Sequence, residues 1–180
     1  MNTVIDFLAR WWLRSGRYRW SKMRRWLFER HYLKEPLPEA DSLEDIEVCL
    51  KQVTWKMEGL LHLYDSISYP QTTWAKKKDD CDGFASLAAE LLYRLNSNYR
   101  PVLITTVVRP IAKSHTVCVF NNLRGGLWYF DNDRLKREKY KNYDEIAFKV
   151  SQRGKSLVCW DVRNHYTFEM IEFHQSWPEG

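Results

Sequence analysis

The hydrophobic periodicity of this chain changes once, near residue 100, and that change restricts the fold more than any other feature. Before it, apolar residues recur at helical spacing. Ile46, Leu50, Val53, Met57, Leu60 and Tyr64 advance in steps of 4, 3, 4, 3 and 4. They form one face of a helix that Ser42, with Asp45 three residues on, opens, and the pattern predicts it to run to about Tyr64. Phe84, Leu87, Ala88, Leu91, Leu92 and Leu95 mark a second helix from about Cys81 to Leu95, with Asp79 and Asp80 where caps and first-turn acids belong. Between the two, Tyr69-Pro70-Gln71-Thr72-Thr73 reads as a loop. Beyond residue 100 the period falls to two. Val102 to Val108, His115 to Phe120, Leu127 to Phe130, Leu157 to Trp160 and Phe168 to Phe173 read as strands, and Asn121 to Gly126 joins the second and third as a hairpin. Asn142 with Glu145 caps a short helix that Gly154 ends. Helices first and then a mostly antiparallel sheet is the order of an α+β fold.

Charge is divided as unevenly as periodicity. Residues 1–34 carry nine Lys/Arg against Asp6 and Glu29, a net of +7, so the other residues of a chain whose total is +5 sum to −2. Trp11, Trp12, Trp20 and Trp26 lie among seven Arg in this segment, which reads as a helix or helical pair with Gly16 as its break. Pro36 and Pro38 end it and mark a linker, giving a basic aromatic extension over 1–34 and a main domain over 42–175. The extension has three readings. Its aromatics pack on the domain while its arginines stay solvated. It lies on an anionic membrane surface. Or it binds nucleic acid or a protein partner. The oligomeric state is not legible.

No run of about 18 uncharged apolar residues is present, so no membrane-spanning helix is expected. The apolar stretch Val4 to Leu13 is interrupted by Asp6 and Arg10 and lacks a cleavage site, so it does not read as a signal peptide. Cys49, Cys81, Cys118 and Cys159 are scattered, without CxxC or CxxH spacing. The expectation is a cytoplasmic protein with reduced thiols and no metal or other cofactor. Asp80-Cys81-Asp82-Gly83 superficially suggests a calcium loop. With Gly83 at the sixth position, Lys78 and Ala89 fall at the first and twelfth, where neither serves.

One set of residues carries chemistry. Cys81 stands at the start of a helix, where unpaired N–H groups and the macrodipole favour a thiolate. His115 opens a strand and Asp131 closes the next, so hairpin pairing brings them to the same end of the sheet. Nucleophile, base and orienter then follow in chain order. An imidazole takes the thiol proton and later gives it to a leaving amine, and a carboxylate on its far nitrogen fixes the tautomer. Asp133 competes with Asp131 as orienter, and Asp131 is favoured because it directly ends its strand. The other three cysteines read as small core residues. His31, His62, His165 and His174 have no partner pattern.

Asp79-Asp80-Cys81-Asp82-Gly83-Phe84-Ala85, Ser114-His115-Thr116-Val117 and Trp128-Tyr129-Phe130-Asp131 together resemble the transglutaminase-like superfamily. The closest resemblance is to the bacterial transglutaminase-like cysteine proteinases, with their D-C-[DE]-[DG]-[FY]-A context. It covers roughly residues 68 to 135. It implies a papain-like core, in which a helix carrying Cys packs on an antiparallel sheet carrying His and Asp. It also implies a thiol peptidase, amidase or acyltransferase acting on a peptide or protein amide or isopeptide bond through a thioester on Cys81. The alternative is a degenerate domain of this type that serves as a binding module through its basic helix. Asp79 departs from the family's common Gly, and the acids Asp79, Asp80 and Asp82 around Cys81 oppose a thiolate. Gln71 and Trp74 are the candidates for the second oxyanion donor, beside the backbone N–H of Cys81.

Overall fold

A computed structural model describes residues 2–57 and 66–175. The chain begins with a nearly continuous helical rod. α1 (Asn2–Trp11) passes through a π-helical turn (Trp12–Gly16) into α2 (Arg17–Arg24), then a second π-helical turn (Arg25–Glu29) and a 3-10 turn (Arg30–Lys34). Gly16 is helical and breaks nothing. A side chain there would meet the Trp12 ring at 2.5 Å, so the residue is small to let that ring lie along the rod.

The wide turns have a cause in the sequence. Leu13, Arg17, Ser21, Arg25 and Glu29 are all buried and stand four residues apart. On a regular α-helix each step of four drifts by about 40° around the axis. Turns wound wider than 3.6 residues hold all five against the domain. The expected orientation is therefore inverted. Arg17 and Arg25 are buried, whereas Trp11 and Trp26 are 56% and 61% exposed. The domain seats Ala9, Leu13 and Tyr18 in its core and offers the rod polar partners beside them. Arg25 donates to the carbonyls of Ile67 and Ser68, and Arg163 donates to those of Leu13 and Arg14. Tyr18 Oη donates to Asp161 at 3.1 Å, and Arg163 pairs with the same carboxylate at 2.8 Å. Burial pushes the Asp161 carboxyl up to about 6, although Arg163, Arg17 and Tyr18 pull it down.

α3 (Leu43–Leu50) starts where Ser42 caps it by accepting the Asp45 N–H. It ends far short of Tyr64. The Val53, Thr54, Trp55 run is β-favouring, and Thr54 and Trp55 form β1, pairing in parallel with β2 (Lys78–Asp79). Val53 is buried but Met57 is half exposed, and Leu60, His62 and Tyr64 lie outside the described residues. The stretch expected to be a loop is α4 (Pro70–Lys76). Pro70 occupies its first turn, where the missing N–H has no helical partner to lose.

α5 (Cys81–Leu95) has the bounds the periodicity predicts, and all of its residues from Cys81 to Ala89 are buried. It packs on an antiparallel six-stranded sheet of order β6-β5-β4-β3-β7-β8. The strands are β3 (Val102–Arg109), β4 (His115–Asn121), β5 (Leu127–Asp131), β6 (Arg134–Tyr140), β7 (Ser156–Asn164) and β8 (Met170–Gln175). α6 (Tyr143–Ser151) covers the other face. The fold is α+β. Leu103, Cys118, Phe120 and Phe130 face α5, while Ile104, Val117, Val119 and Tyr129 face α6. β6 was not legible as a strand because its sequence, RLKREKY, is almost wholly charged. It is the edge strand beside β5, where charge discourages further pairing.

Candidate active site

Asp80 caps α5 by accepting the Asp82 N–H at 3.1 Å, which sets Cys81 as the first residue of the helix. The acids around the thiol are each held. Asp79 accepts from Thr73 Oγ1 and from the Asp80 N–H, and it lies so close over Gly83 that any Cβ there would collide with its carboxylate. Asp82 Oδ1 is 3.9 Å from Cys81 Sγ, and the other oxygen of that carboxylate is paired with Arg17. The side chains of Arg17 and Asp82 are 6% and 1% exposed, so the pair sits in a low-dielectric interior. Arg17 is fixed further by Thr105 Oγ1 at 2.9 Å and Thr116 Oγ1 at 3.4 Å. Thus the N-terminal helix supplies the cation that offsets the charge nearest the thiol. Three acids around a cysteine were the sequence hint that a cation was needed, and Lys76, Lys77 and Lys78 close by gave no sign that it would come from Arg17.

Strand alternation gives His115 the face of Val117 and Asp131 the face of Tyr129, which is the α6 face. At that end of the sheet His115 Nε2 lies 2.8 Å from Asp131 Oδ1. Nε2 being occupied, Nδ1 is the nitrogen left to face a thiol. Asp131 Oδ2 is paired with Arg153, a residue the sequence did not single out, just beyond α6. Burial alone would raise the Asp131 carboxyl. The hydrogen bond and charge of His115, with the Arg153 guanidinium, outweigh it and hold the carboxyl below its usual range. Asp133 has no hydrogen bond to the imidazole among the described residues.

A group depressed in the folded state contributes stability above its unfolded pKa, about 3.9 for Asp, and loses it as pH falls through the folded value. Asp131→Asn should therefore be less stable than wild type at neutral pH, with the difference vanishing in acid. Thermal unfolding followed from about pH 7 to about pH 2 measures it. Parallel curves would mean that Asp131 carries no such linkage.

Cys81 and His115 line two depressions in common. One is a small cavity of about 40 Å³ bounded by Ala9, Trp12, Leu13 and Arg17 of the N-terminal rod. The other is an open cleft of about 450 Å³ walled by Trp55, Met57, Lys113, Asn132 and Arg153. Neither Gln71 nor Trp74 is among the residues lining these two depressions. Gln71 faces a separate pocket with Lys22 and Arg25, and Trp74 lies against the Lys77 ammonium and the core. The structure thus places both candidate oxyanion donors away from the cleft.

The remaining cysteines are free and buried, as Cys81 is. Burial raises the Cys49 and Cys118 thiols and pushes Cys159 up to about 12. Asp80, Cys81 and Asp82 bring potential ligand atoms within 4.8 Å of one another. Both acids are already engaged, one as helix cap and one with Arg17, so the trio does not fit a resident cation. Among the described residues no helix is long and apolar enough to cross a membrane. No protein-family model and no curated protein sequence matches the chain.

Proposed function

We propose that Cys81 is the nucleophile of a thiol-dependent hydrolase or acyltransferase of transglutaminase-like, papain-like type, acting on a peptide or isopeptide amide. The observation that carries this reading is the 2.8 Å contact of Asp131 Oδ1 with Nε2 of His115, a residue that lines the same cleft as Cys81 at its helix N-terminus. α5 packed on one face of an antiparallel sheet, with His115 at the sheet end where it lines one cleft with Cys81, supports the papain-like assignment.

In this mechanism His115 Nδ1 accepts the thiol proton as Sγ attacks the amide carbonyl, forming the C–S bond. The resulting imidazolium is supported by Asp131, and the α5 dipole stabilises charge at its N-terminus. Collapse of the tetrahedral species breaks the C–N bond, with the proton passing from His115 to the departing amine. Water or a second amine then attacks the thioester, His115 taking its proton, and returns the thiol. Arg153 is a positioning residue, since it acts through Asp131.

Alkylation by iodoacetamide at neutral pH, followed by mass spectrometry of each cysteine-containing peptide, tests the proposal. Cys81 should react at least about tenfold faster than Cys49, Cys118 or Cys159, because it starts a helix and shares an open cleft with an imidazole. His115→Ala should remove that advantage. Equal rates at all four positions would sink the enzymatic reading and favour a binding module.

A further inference from the structure

We propose that the outward face of the N-terminal rod is a docking face for an anionic lipid bilayer. Phe7, Leu8 and Trp11 on α1, and Met23, Trp26 and Leu27 further on, are 45% to 66% exposed. Phe7, Trp11, Met23 and Leu27 are offset two residues, about half a turn, from the buried Leu13, Arg17, Ser21, Arg25, Glu29 line. The buried line meets the domain, so the exposed one points directly away from it. Ser15 and Arg19 share that line, so the face carries two apolar patches, one on α1 and one over residues 23–27, and exposed apolar patches on a water-facing surface mark an interaction site.

Charge identifies the occupant. Both acids of the segment are turned inward, Asp6 against Arg109 and Glu29 against Arg24, Thr72 and the Tyr69 N–H. Arg19 on that outward line, and Lys22 and Arg30 beside it, are exposed and have no ion pair among the described residues. The outer face therefore has an apolar patch towards each end, Arg19 between them, Lys22 and Arg30 beside the second, and no negative charge among the described residues. That is the composition of a helix lying in the headgroup plane, with its Trp and Phe at the acyl boundary and its basic groups on anionic headgroups. A single-stranded nucleic acid is held in a cationic groove, and a convex ridge whose apolar surface includes Leu8, Met23 and Leu27 offers none. A two-fold pair of these ridges would set like charges against one another.

Orientation follows from the same rod. Its inner face borders the small cavity at Cys81 through Ala9, Leu13 and Arg17, so docking holds the candidate site within one helix diameter of the lipid surface, about 10 Å. The docking inference does not depend on whether Cys81 is a nucleophile, and its test reads no turnover.

The test uses the full chain and sedimentation with vesicles, either of equal parts phosphatidylcholine and phosphatidylserine or of phosphatidylcholine alone. The protein should sediment with the mixed vesicles, less so with the neutral ones, and less again in high salt. Phe7→Ser with Trp26→Ser should weaken binding about a hundredfold through lost apolar burial. Arg19→Gln with Lys22→Gln should weaken it about thirtyfold on the anionic vesicles. Both pairs lie outside the core, so their melting temperatures should stay at the wild-type value. In the unaltered protein, brominated acyl chains should quench tryptophan emission, a readout independent of any variant's folding. Failure of the wild-type protein to bind mixed vesicles would overturn the proposal, as would vesicle binding indifferent to both variant pairs. Preference for single-stranded DNA over vesicles, or a dimer that Phe7→Ser with Trp26→Ser dissociates, would equally overturn it.

Discussion

Deletion of residues 1–34 should abolish cooperative folding of the remaining chain. The rod contributes Ala9, Leu13 and Tyr18 to the same core cluster as α5 and the sheet. Its polar contribution is larger in consequence. Without Arg17, Asp82 is a buried carboxylate with its guanidinium gone. Without Tyr18 and the carbonyls of Leu13 and Arg14, the buried Asp161–Arg163 pair loses three of its bonds. Removing one partner of a buried ion pair costs about 3–5 kcal/mol, a large part of a typical total of about 5–15 kcal/mol. Arg17→Met is the single-residue counterpart and should lower stability by about 3–5 kcal/mol in urea unfolding. For the truncated chain, circular dichroism on heating should show no sigmoidal transition. A truncated chain that melts cooperatively would make the rod an appendage, and its buried arginines dispensable.

Cys81→Ala should abolish turnover of any peptide or isopeptide substrate found for the protein, by about five to six orders of magnitude in kcat, with His115→Ala close behind. Members of a triad act as a unit, so the second loss adds little to the first. Asp131→Asn should cost about one to two orders less, because the imidazole remains in place as a base while its tautomer and its cation are less well supported. Cys81→Ala should leave the melting temperature near that of wild type, since Cys81 begins α5 and Asp80 still caps it. Full activity in the Cys81→Ala protein would place the chemistry elsewhere. Screening against labelled peptides, with and without an added amine acceptor, also separates hydrolysis from acyl transfer, since only the thioester's second partner differs.

Much of the scaffold around this site was legible because it is set by local patterns. Asp80 and the stripe from Phe84 to Leu95 define α5 to the residue, and period two with a Gly-containing turn defines β4 and β5. Together they put His115 and Asp131 at one end of the sheet. The misreadings share a cause. Helical spacing from Ile46 to Met57 was real, but pairing of Thr54 and Trp55 with Lys78 and Asp79 ended the helix at Leu50. Pro70 signalled a break and instead supplied a first turn. β6 has no apolar alternation to read, because its outer side meets water while β5 and α3 satisfy it, Glu47 accepting the Leu135 N–H.

The sequence by itself determined the α+β order, the position of Cys81 at a helix start, and the pairing of His115 with Asp131, since each follows from contacts within or between neighbouring segments. Only the tertiary structure decided which way the N-terminal rod faces. Its composition allows either orientation, and an apolar-inward helix is the ordinary outcome. Here the domain presents Asp82, Asp161, Thr105, Thr116 and the carbonyls of Ile67 and Ser68, all buried or part-buried groups that require partners. Leaving them unsatisfied would cost more than exposing Trp11 and Trp26, because buried charge without a counter-ion is dearer than apolar surface in water. The guanidinium groups of Arg17 and Arg25 therefore turn inward. The aromatic ridge is left facing out, and the cation beside the candidate nucleophile arrives from the far end of the chain.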